Sequence, residues 1–445
     1  MRTAVSILGI ELRRSAALGA ALLVLVVGVV ALYVAPGRWS SGWLSLALSM
    51  REYTIFLWPI ALAAGAWQGR REHQSRVGEL FSATPRSRAR RMLPLLGATA
   101  LAIGSAYVLV TAVGGTTFVA PFHYLPPGFF GITAAGALSL AGAAWLGLGL
   151  GRLLPAAVTA PVLAVLGVLL VVFGAFVRPF WLAAVLSPMY GSLQFYAYQT
   201  IDGRVSVAFS MWMAGLALTG AVLLIAERRW LVAAVLPALV GLGLAVVIVP
   251  RAEAVTEAPI DPSAAALVCT DDAPKVCVSR VTRGVLEELT PLAREGLAIL
   301  SRLPGTPAEV HEDIRQYGSG EGPSETGVVL LAVTVDKRGH LAHPASVVPR
   351  IVGSLGVTRR GSCDNRNSAV ERAAAYYLLG RPPVSDVGVM PGVTGEGPEL
   401  NRLAVRLWQG LRQLPEKEAL ARIAEVRQAV AECEDSSELL RPPAR

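Results

Sequence analysis

Four cysteines are the residues of this chain whose chemistry depends most directly on spacing. Cys269, Cys277, Cys363 and Cys433 all lie in the second half of the sequence. An even number of cysteines confined to one region is typical of disulfide bonding in an oxidising compartment. Four cysteines allow three pairings, and the turn sequence between the first two favours Cys269–Cys277 together with Cys363–Cys433.

A metal site is the alternative chemistry for the same region. His340 and His343 are separated by two residues, and His311 is followed by Glu312 and Asp313. The cysteines lack the Cys-x-x-Cys spacing of many structural zinc sites, and the histidines lack a His-Glu-x-x-His pattern. There is also no Gly-x-Ser-x-Gly sequence to mark a nucleophilic serine. The sequence therefore predicts no metal site and no enzyme activity in this half.

The distribution of charge divides the chain into two halves. Of its 445 residues, 53% are hydrophobic and 16% are charged. Residues 1–250 contain 17 Arg, no Lys and 6 acidic residues, whereas residues 251–445 contain 23 basic and 26 acidic residues. The positive excess belongs to the apolar half, which indicates arginines at membrane edges and not a nucleic-acid-binding protein.

Seven apolar runs in the first half are candidates for transmembrane helices. They cover residues 15–35, 53–68, 93–113, 129–150, 155–177, 205–226 and 231–249. The segments then expected in the cytoplasm hold 13 arginines and the outer loops hold 4, among them Arg51. This bias predicts a cytoplasmic N terminus and, after seven crossings, an extracytoplasmic C-terminal half. An even number of crossings would place that half in the cytoplasm.

The predicted fold class is a polytopic α-helical membrane protein of the plasma membrane, with about seven transmembrane helices, followed by an extracytoplasmic α+β domain. Its predicted parts are an amphipathic N-terminal segment (1–14), a transmembrane domain (15–250), a linker (251–263) and a disulfide-containing outer domain (264–445). A cleaved signal peptide is the alternative for the first run, which is longer than a typical signal core. Helical periodicity and one apolar run predict the elements of the outer domain. They are helices at 281–301, 368–379, 399–413 and 416–434, and a buried strand at 328–336.

Residues 178–204 form an unusually aromatic and apolar outer segment. The segment is interrupted at Ser187-Pro188 and Gly191, so it fits a re-entrant hairpin that dips into the outer leaflet. An interfacial helix resting on the lipid headgroups fits the same residues. The sequence leaves both alternatives open.

The loop between the second and third runs, residues 70–91, carries seven arginines against two acidic residues. Val77, Leu80 and Phe81 recur at helical spacing before Pro85 interrupts the pattern. A basic loop of this kind stays in the cytoplasm. It either anchors the topology or, as a short amphipathic helix, docks a soluble partner.

The same loop resembles the coupling helix of type-two exporter permeases of ATP-binding-cassette transporters. In that family a sequence of the form Glu-Arg-Glu…Glu-Leu-Leu-x-Ala-Thr-Pro-x-Ser-Arg joins the second and third spans. The matching residues here are Glu72, Glu79, Leu80, Phe81, Ala83, Thr84, Pro85, Ser87 and Arg88. The amphipathic N terminus, the first six spans and the outer segment before the sixth also agree with the family layout, so the resemblance covers roughly residues 1–226.

The resemblance implies a permease that is not itself an enzyme. A separate ATPase subunit would bind ATP and Mg²⁺ and contact the coupling residues Glu72, Glu79, Leu80, Phe81, Thr84, Pro85 and Arg88. This chain has no Gly-x-x-x-x-Gly-Lys-Ser/Thr phosphate loop and is expected to hold no cofactor. The other implied partners are a second permease copy or homologue and the lipid bilayer. The alternative function is a membrane-anchored extracytoplasmic binding or sensor protein, with the helices as scaffold.

Overall fold

The computed structural model describes most of the chain. The described residues are 17–34, 42–71, 88–119, 124–189, 198, 200–227, 231–251, 260–305, 307–314, 322–325, 327–336, 338–360, 367–384 and 397–440. They form two compact units, the first ending at Ala264 and the second covering Ala265–Arg445. Each unit has its own buried core.

The first unit is helical. Its helices are α1 (Ala17–Val34), α2 (Trp43–Glu52), α3 (Thr54–Gly69), α4 (Arg88–Gly114), α5 (Pro127–Leu153), α6 (Thr159–Ala175), α7 (Phe180–Leu186), α8 (Gly203–Ile225) and α9 (Leu236–Ile248). Four of the described helices, α1, α4, α5 and α8, are long and apolar enough to cross a membrane, whereas α6 and α9 are shorter apolar helices. The predicted long apolar helices of this half are confirmed, whereas their insertion in a membrane and the number of crossings remain predictions.

Helices α2 and α3 correct one part of the sequence prediction. Residues 36–51 were expected in an outer loop before a helix at 53–68, but α2 already begins at Trp43. Tyr53, with φ −66° and ψ −9°, joins α2 to α3 in a nearly helical conformation. Residues 44–51 are all buried. The buried Arg51 lowers the local hydropathy, which explains why the hydropathy pattern started the predicted span too late.

Helix α5 contacts α3 on one side and α8 on another through glycines. A Cβ atom added to Gly147 would lie 2.0 Å from the carbonyl oxygen of Leu62 in α3. A Cβ atom added to Gly149 would lie 2.6 Å from the carbonyl oxygen of Gly220 in α8. These distances are shorter than van der Waals contact, so the two backbones can approach only because side chains are missing.

Two buried clusters mark opposite ends of this unit. We call one end the loop end, and its cluster contains Met92, Leu96, Leu148, Ala221 and Leu224. We call the other the linker end, and its cluster includes Leu44, Ile132, Val185, Val205 and Val249. Helix α8 reaches from Val205 in one cluster to Leu224 in the other, a distance of about 28 Å at 1.5 Å per residue.

The clusters also give the directions of the helices. The chain enters α2 at the linker end, and α3 ends at the loop end, where a Cβ on Gly69 would lie 2.2 Å from the Leu148 carbonyl oxygen. Helix α4 then starts at the loop end with Met92, and both α5 and α8 run from the linker end to the loop end. Helix α9 runs back and finishes at the linker end with Val249.

The second unit combines a small mixed sheet with helices. Its strands are β1 (Leu267–Cys269), β2 (Lys275–Ser279), β3 (Glu309–Glu312), β4 (Gly322–Glu325), β5 (Val328–Leu331) and β6 (Thr358–Arg360). The four-stranded sheet has the order β1-β2-β3-β5, in which only the β1–β2 pair is antiparallel. Strands β4 and β6 form a separate antiparallel pair.

Four helices of the second unit agree with the predicted periodicity, and a short helix at Val347–Gly353 was not predicted. In chain order the helices are α10 (Leu286–Leu300), α11 (Val347–Gly353), α12 (Ser368–Leu378), α13 (Gly397–Arg412) and α14 (Glu416–Glu432). The predicted strand at 328–336 is shorter than expected, because regular pairing in β5 stops at Leu331. Alternate strand residues such as Val276, Val278 and Val310 are fully buried in the core that the helices complete.

Candidate functional site

Most of the predicted coupling residues lie outside the described part of the chain. They are Glu72, Glu79, Leu80, Phe81, Thr84 and Pro85. Arg88 is described and is half-buried at the first position of α4. What the structure shows is how this segment is held: it leaves from the end of α3 and returns at the start of α4, and both lie at the loop end.

Arginines collect at the loop end. Arg70, which follows α3, is 4% exposed, and its guanidinium carbon lies 3.6 Å from the centre of the Trp67 ring. Arg90, in the first turn of α4, is exposed. Arg152 also lies here, at the end of α5. Several arginines assigned to one side of the membrane by the sequence therefore share one end of the helical unit.

Arg152 connects the ends of two helices at the loop end. Its Nη1 donates hydrogen bonds to the carbonyl oxygens of Leu223 at 3.0 Å and Ala226 at 3.3 Å, and also to that of Leu224. Leu223 and Leu224 belong to the last turn of α8 and Ala226 follows it, a position where a helix leaves acceptors without intrahelical partners. The side chain therefore ties the end of α5 to the end of α8.

Arg51 is a fully buried cation near the linker end. Its Nη2 and Nε donate to the carbonyl oxygen of Pro188 at 3.3 Å and 3.4 Å. The guanidinium carbon lies 4.0 Å from the centre of the Phe209 ring in α8. Arg51 thus joins three parts of the unit: α2, which carries it, α8, and the segment that follows α7. The arginine distribution assigns Arg51 to an outer loop, so its interior position was not predicted from the sequence.

The segment after α7 meets the expectations for 178–204 in part. Helix α7 ends at Leu186, and Ser187 and Pro188 follow as the predicted interruption. The Ser187 hydroxyl donates to the Val171 carbonyl oxygen of α6 at 2.8 Å, so the break is packed against the helical unit. Residues 190–197 lie outside the described chain, and the choice between a hairpin and an interfacial helix stays open.

The predicted Cys269–Cys277 disulfide is present in the second unit. The two cysteines are directly opposite each other on the antiparallel strands β1 and β2, with Cα atoms 4.0 Å apart. Cys433 is also disulfide-bonded. Cys363, its predicted partner, lies outside the described residues, so the second predicted pairing remains a prediction.

The neighbours of His311 differ from those that its sequence position suggested. His311 pairs with Cys277 across the parallel strands β2 and β3, and its Nε2 lies 2.7 Å from Oε2 of Glu309. The potential ligand atoms of Cys277, Glu309 and His311 all lie within 4.8 Å of one another. Glu312, next in sequence to His311, projects from the opposite face of the sheet because side chains alternate along a strand.

Two other carboxylates brace the segments around α10. Glu312 is buried and accepts hydrogen bonds from the Ser279 amide at 2.5 Å and from the Thr282 hydroxyl. Burial raises the pKa of the Glu312 carboxyl, and these hydrogen bonds oppose the shift. Glu288, in the first turn of α10, accepts hydrogen bonds from the His340 ring and from the Leu341 amide at 3.0 Å. Both carboxylates accept hydrogen bonds that stabilise the fold.

Comparison with known proteins gives no match: no family model, no curated protein and no solved structure is similar to this chain. The function of this chain therefore has to be inferred from its own residues and geometry.

Proposed function

We propose that this chain is the membrane-spanning permease subunit of an ATP-driven exporter, coupled to a separate ATPase through residues 70–91. One observation carries the proposal: the coupling segment and the connection to the second unit leave the helical unit from opposite ends. Residues 71 and 88 lie at the loop end, whereas Val249 lies in the linker-end cluster. Arg251 follows there, with its guanidinium carbon 6.0 Å from the centre of the Trp181 ring.

The opposite exits suit a protein that contacts partners on both sides of a membrane. Arginines at the loop end favour a cytoplasmic position for that end. The second unit then follows the linker end on the extracytoplasmic side, where a bridge such as Cys269–Cys277 persists. An ATPase carrying bound ATP and Mg²⁺ would dock at the cytoplasmic end, and the second unit would receive or shield the exported substrate.

The outward surface of the helices supports their placement in lipid. Large apolar side chains are exposed on α1, α6 and α9, for example Leu22 at 62%, Phe173 at 67% and Val247 at 80%. Such exposure is costly in water but favourable against acyl chains. A second permease copy or homologue would cover part of this surface.

The proposal is tested at Phe81, an apolar residue of the coupling motif. The family pattern has leucine at this position. Phe81→Asp is expected to abolish co-purification of a phosphate-loop ATPase and the associated ATP hydrolysis, because it places a charge in the apolar centre of the contact. Phe81→Leu, which restores the family residue, is the matched control and should retain both. Expression and elution volume from size exclusion should be equal for the two variants.

The same variants discriminate between the two functions considered. An anchored binding or sensor protein needs no ATPase, so unchanged partner binding and transport in Phe81→Asp would contradict the permease proposal. Topology is tested separately with a reporter that fluoresces only in the cytoplasm. Fused after Arg445 it should remain dark, and fused before Met1 it should be bright.

A further inference from the structure

Four potential metal ligands project from one face of the sheet in the second unit. Cys269 and Cys277 are direct partners on β1 and β2, and Cys277 and His311 are direct partners on β2 and β3. Direct partners on neighbouring strands point to the same face, and so do residues two apart on one strand. Glu309 precedes His311 by two residues, so it joins the same face. The buried valines of β2 and β3 occupy the other face.

The side chains are close enough to share one cation. The ligand atoms of Cys277, Glu309 and His311 lie within 4.8 Å of one another, and Cys269 is bonded to Cys277. In a tetrahedral zinc site with bonds of about 2.0–2.3 Å, ligand atoms lie roughly 3–4 Å apart. The side chains of His311 and Glu309 are 23% and 36% exposed, so the cluster is reached from solvent.

The strands that carry the cluster are held together by more than the disulfide. On one side of the cysteine pair, the Thr270 amide donates to the Val276 carbonyl oxygen at 3.0 Å. On the other side, the Arg280 amide donates to the Ala266 carbonyl oxygen at 2.9 Å. Strand β2 also pairs with β3. Breaking the disulfide therefore leaves the cysteines positioned beside His311.

We infer that reduction of the Cys269–Cys277 bridge converts this cluster into a binding site for a thiophilic divalent cation of the Zn²⁺ type. A reduced dithiol, such as the active site of a thiol–disulfide oxidoreductase, transfers two electrons and two protons to the bridge and is itself oxidised to a disulfide. The cation then displaces the two thiol protons. It is held by two thiolates, one nitrogen of His311 and one carboxylate oxygen of Glu309.

The oxidation state of the bridge decides the affinity. With the bridge intact, the site offers one imidazole and one carboxylate, because disulfide sulfur is not a thiolate ligand. Reduction adds two thiolates and completes a four-ligand set suited to Zn²⁺. Sequence spacing does not indicate these four ligands as a set, because they come from three different strands. The inference does not depend on the proposed export function, because it uses residues of the second unit alone.

The inference is tested with Co²⁺ as a spectroscopic probe of thiolate ligation. The protein is the full chain in detergent, with a tag that contains no histidine and with Cys363 and Cys433 replaced by serine. After reduction and removal of the reductant, we expect one Co²⁺ per chain, with thiolate-to-metal charge-transfer absorption and the intense visible bands of a tetrahedral site. The oxidised protein should show neither set of bands.

Matched variants assign the ligands. His311→Ala and Glu309→Gln should each weaken binding by roughly tenfold or more in the reduced protein. His343→Ala removes an exposed histidine outside the cluster and should leave binding unchanged. Competition by Zn²⁺ should remove the Co²⁺ bands.

Three results would overturn the inference. The first is a reduced protein that gives no thiolate charge-transfer band although thiol titration finds both cysteines free and size exclusion shows a monodisperse protein. The second is equal affinity in the oxidised and reduced forms. The third is unchanged binding in both His311→Ala and Glu309→Gln.

Discussion

The two units of this protein bury their interiors with different kinds of side chain. In the helical unit, glycine and alanine occupy the closest contacts, as between α5 and its neighbours, while leucine, valine and phenylalanine face outward. In the second unit, valine, leucine and isoleucine fill a conventional core, and the described ion pairs lie at its surface.

The difference shows that the two units are stabilised by different interactions. The second unit gains stability by removing apolar surface from water. In the helical unit the outside is as apolar as the inside, so burial of apolar area cannot hold the helices together if lipid surrounds them. Close backbone packing and a few buried polar contacts, such as those of Arg51, then specify the arrangement.

The strongest test of this contrast is a side chain inserted between α5 and α3. Gly147→Leu is expected to prevent correct packing or to destabilise the unit by about 3 kcal/mol or more, because even a Cβ atom meets the Leu62 backbone at 2.0 Å. The measurement is thermal loss of monodispersity in detergent. Gly131→Leu, in the same helix but with no atom within 4 Å of the added Cβ, should behave like the wild type. Equal effects of both substitutions would show that the close contact at Gly147 does not determine the packing of α5 against α3.

The next largest effect is expected at the buried cation. Arg51→Ala removes the hydrogen bonds to Pro188 and leaves space beside Phe209, so we expect a loss of about 2–3 kcal/mol. The control is Arg90→Ala, an exposed arginine of α4, which should change stability by less than about 0.5 kcal/mol. Both are measured by thermal unfolding in the same detergent. Similar stabilities of the two variants would show that Arg51 has no structural role.

The second unit has its own buried charge, and its expected signature is a pH dependence. Burial raises the pKa of Glu312 above its ordinary value of 4.5 in the folded protein. Above pH 4.5 the Glu312 carboxyl is ionised in the unfolded chain but still protonated in the folded protein. The free energy of unfolding therefore falls as pH rises towards the raised pKa. The slope is at most about 1.4 kcal/mol per pH unit.

Glu312→Gln should remove this dependence, because the amide oxygen can still accept from Ser279 and Thr282 but does not ionise. Hydrogen exchange of peptides covering β2 and α10, corrected for intrinsic rates, gives the stability of the unit at each pH. Protection in the variant relative to wild type should increase with pH through this window. A constant difference would mean that the Glu312 carboxyl does not titrate with folding.

The smallest expected effect concerns the exposed pair His340–Glu288. The hydrogen bond that His340 donates to the Glu288 carboxylate raises the pKa of His340, and the same bond lowers the pKa of Glu288. The stabilising contribution through His340 is complete below its ordinary pKa of 6.5 and is lost as pH rises through the raised value. NMR titration of the isotopically labelled His340 ring should show a raised pKa that moves back towards its ordinary value in Glu288→Gln.

Regular periodicity made part of this architecture predictable from the sequence. The long apolar helices and four helices of the second unit follow from hydropathy and spacing, which are local properties. The short helix α11 was not predicted from them. The Cys269–Cys277 bridge was also predictable from local sequence. Its two cysteines are eight positions apart, and the turn sequence between them forms a hairpin. The interior position of Arg51 was not predictable in this way, since it depends on contacts with Pro188 and Phe209, far away in sequence.

Strand register limited the prediction of the metal-ligand cluster in the same manner. His311 was read with its sequence neighbours Glu312 and Asp313, whereas the parallel pairing of β2 and β3 puts it beside Cys277. Sequence spacing gives the face of one strand but not the residue opposite it on another. The structure was needed to bring the cysteines, His311 and Glu309 together.

The position of Arg152 has an electrostatic consequence. Helices α5 and α8 are neighbours that run in the same direction, so the negative ends of two helix dipoles, each equivalent to about half an elementary charge, lie side by side. Left uncompensated, two such ends repel each other, most strongly in a medium of low dielectric constant. The single positive charge of Arg152 lies between them and equals their sum in magnitude. This one side chain therefore makes a parallel helix pair electrically neutral at its end.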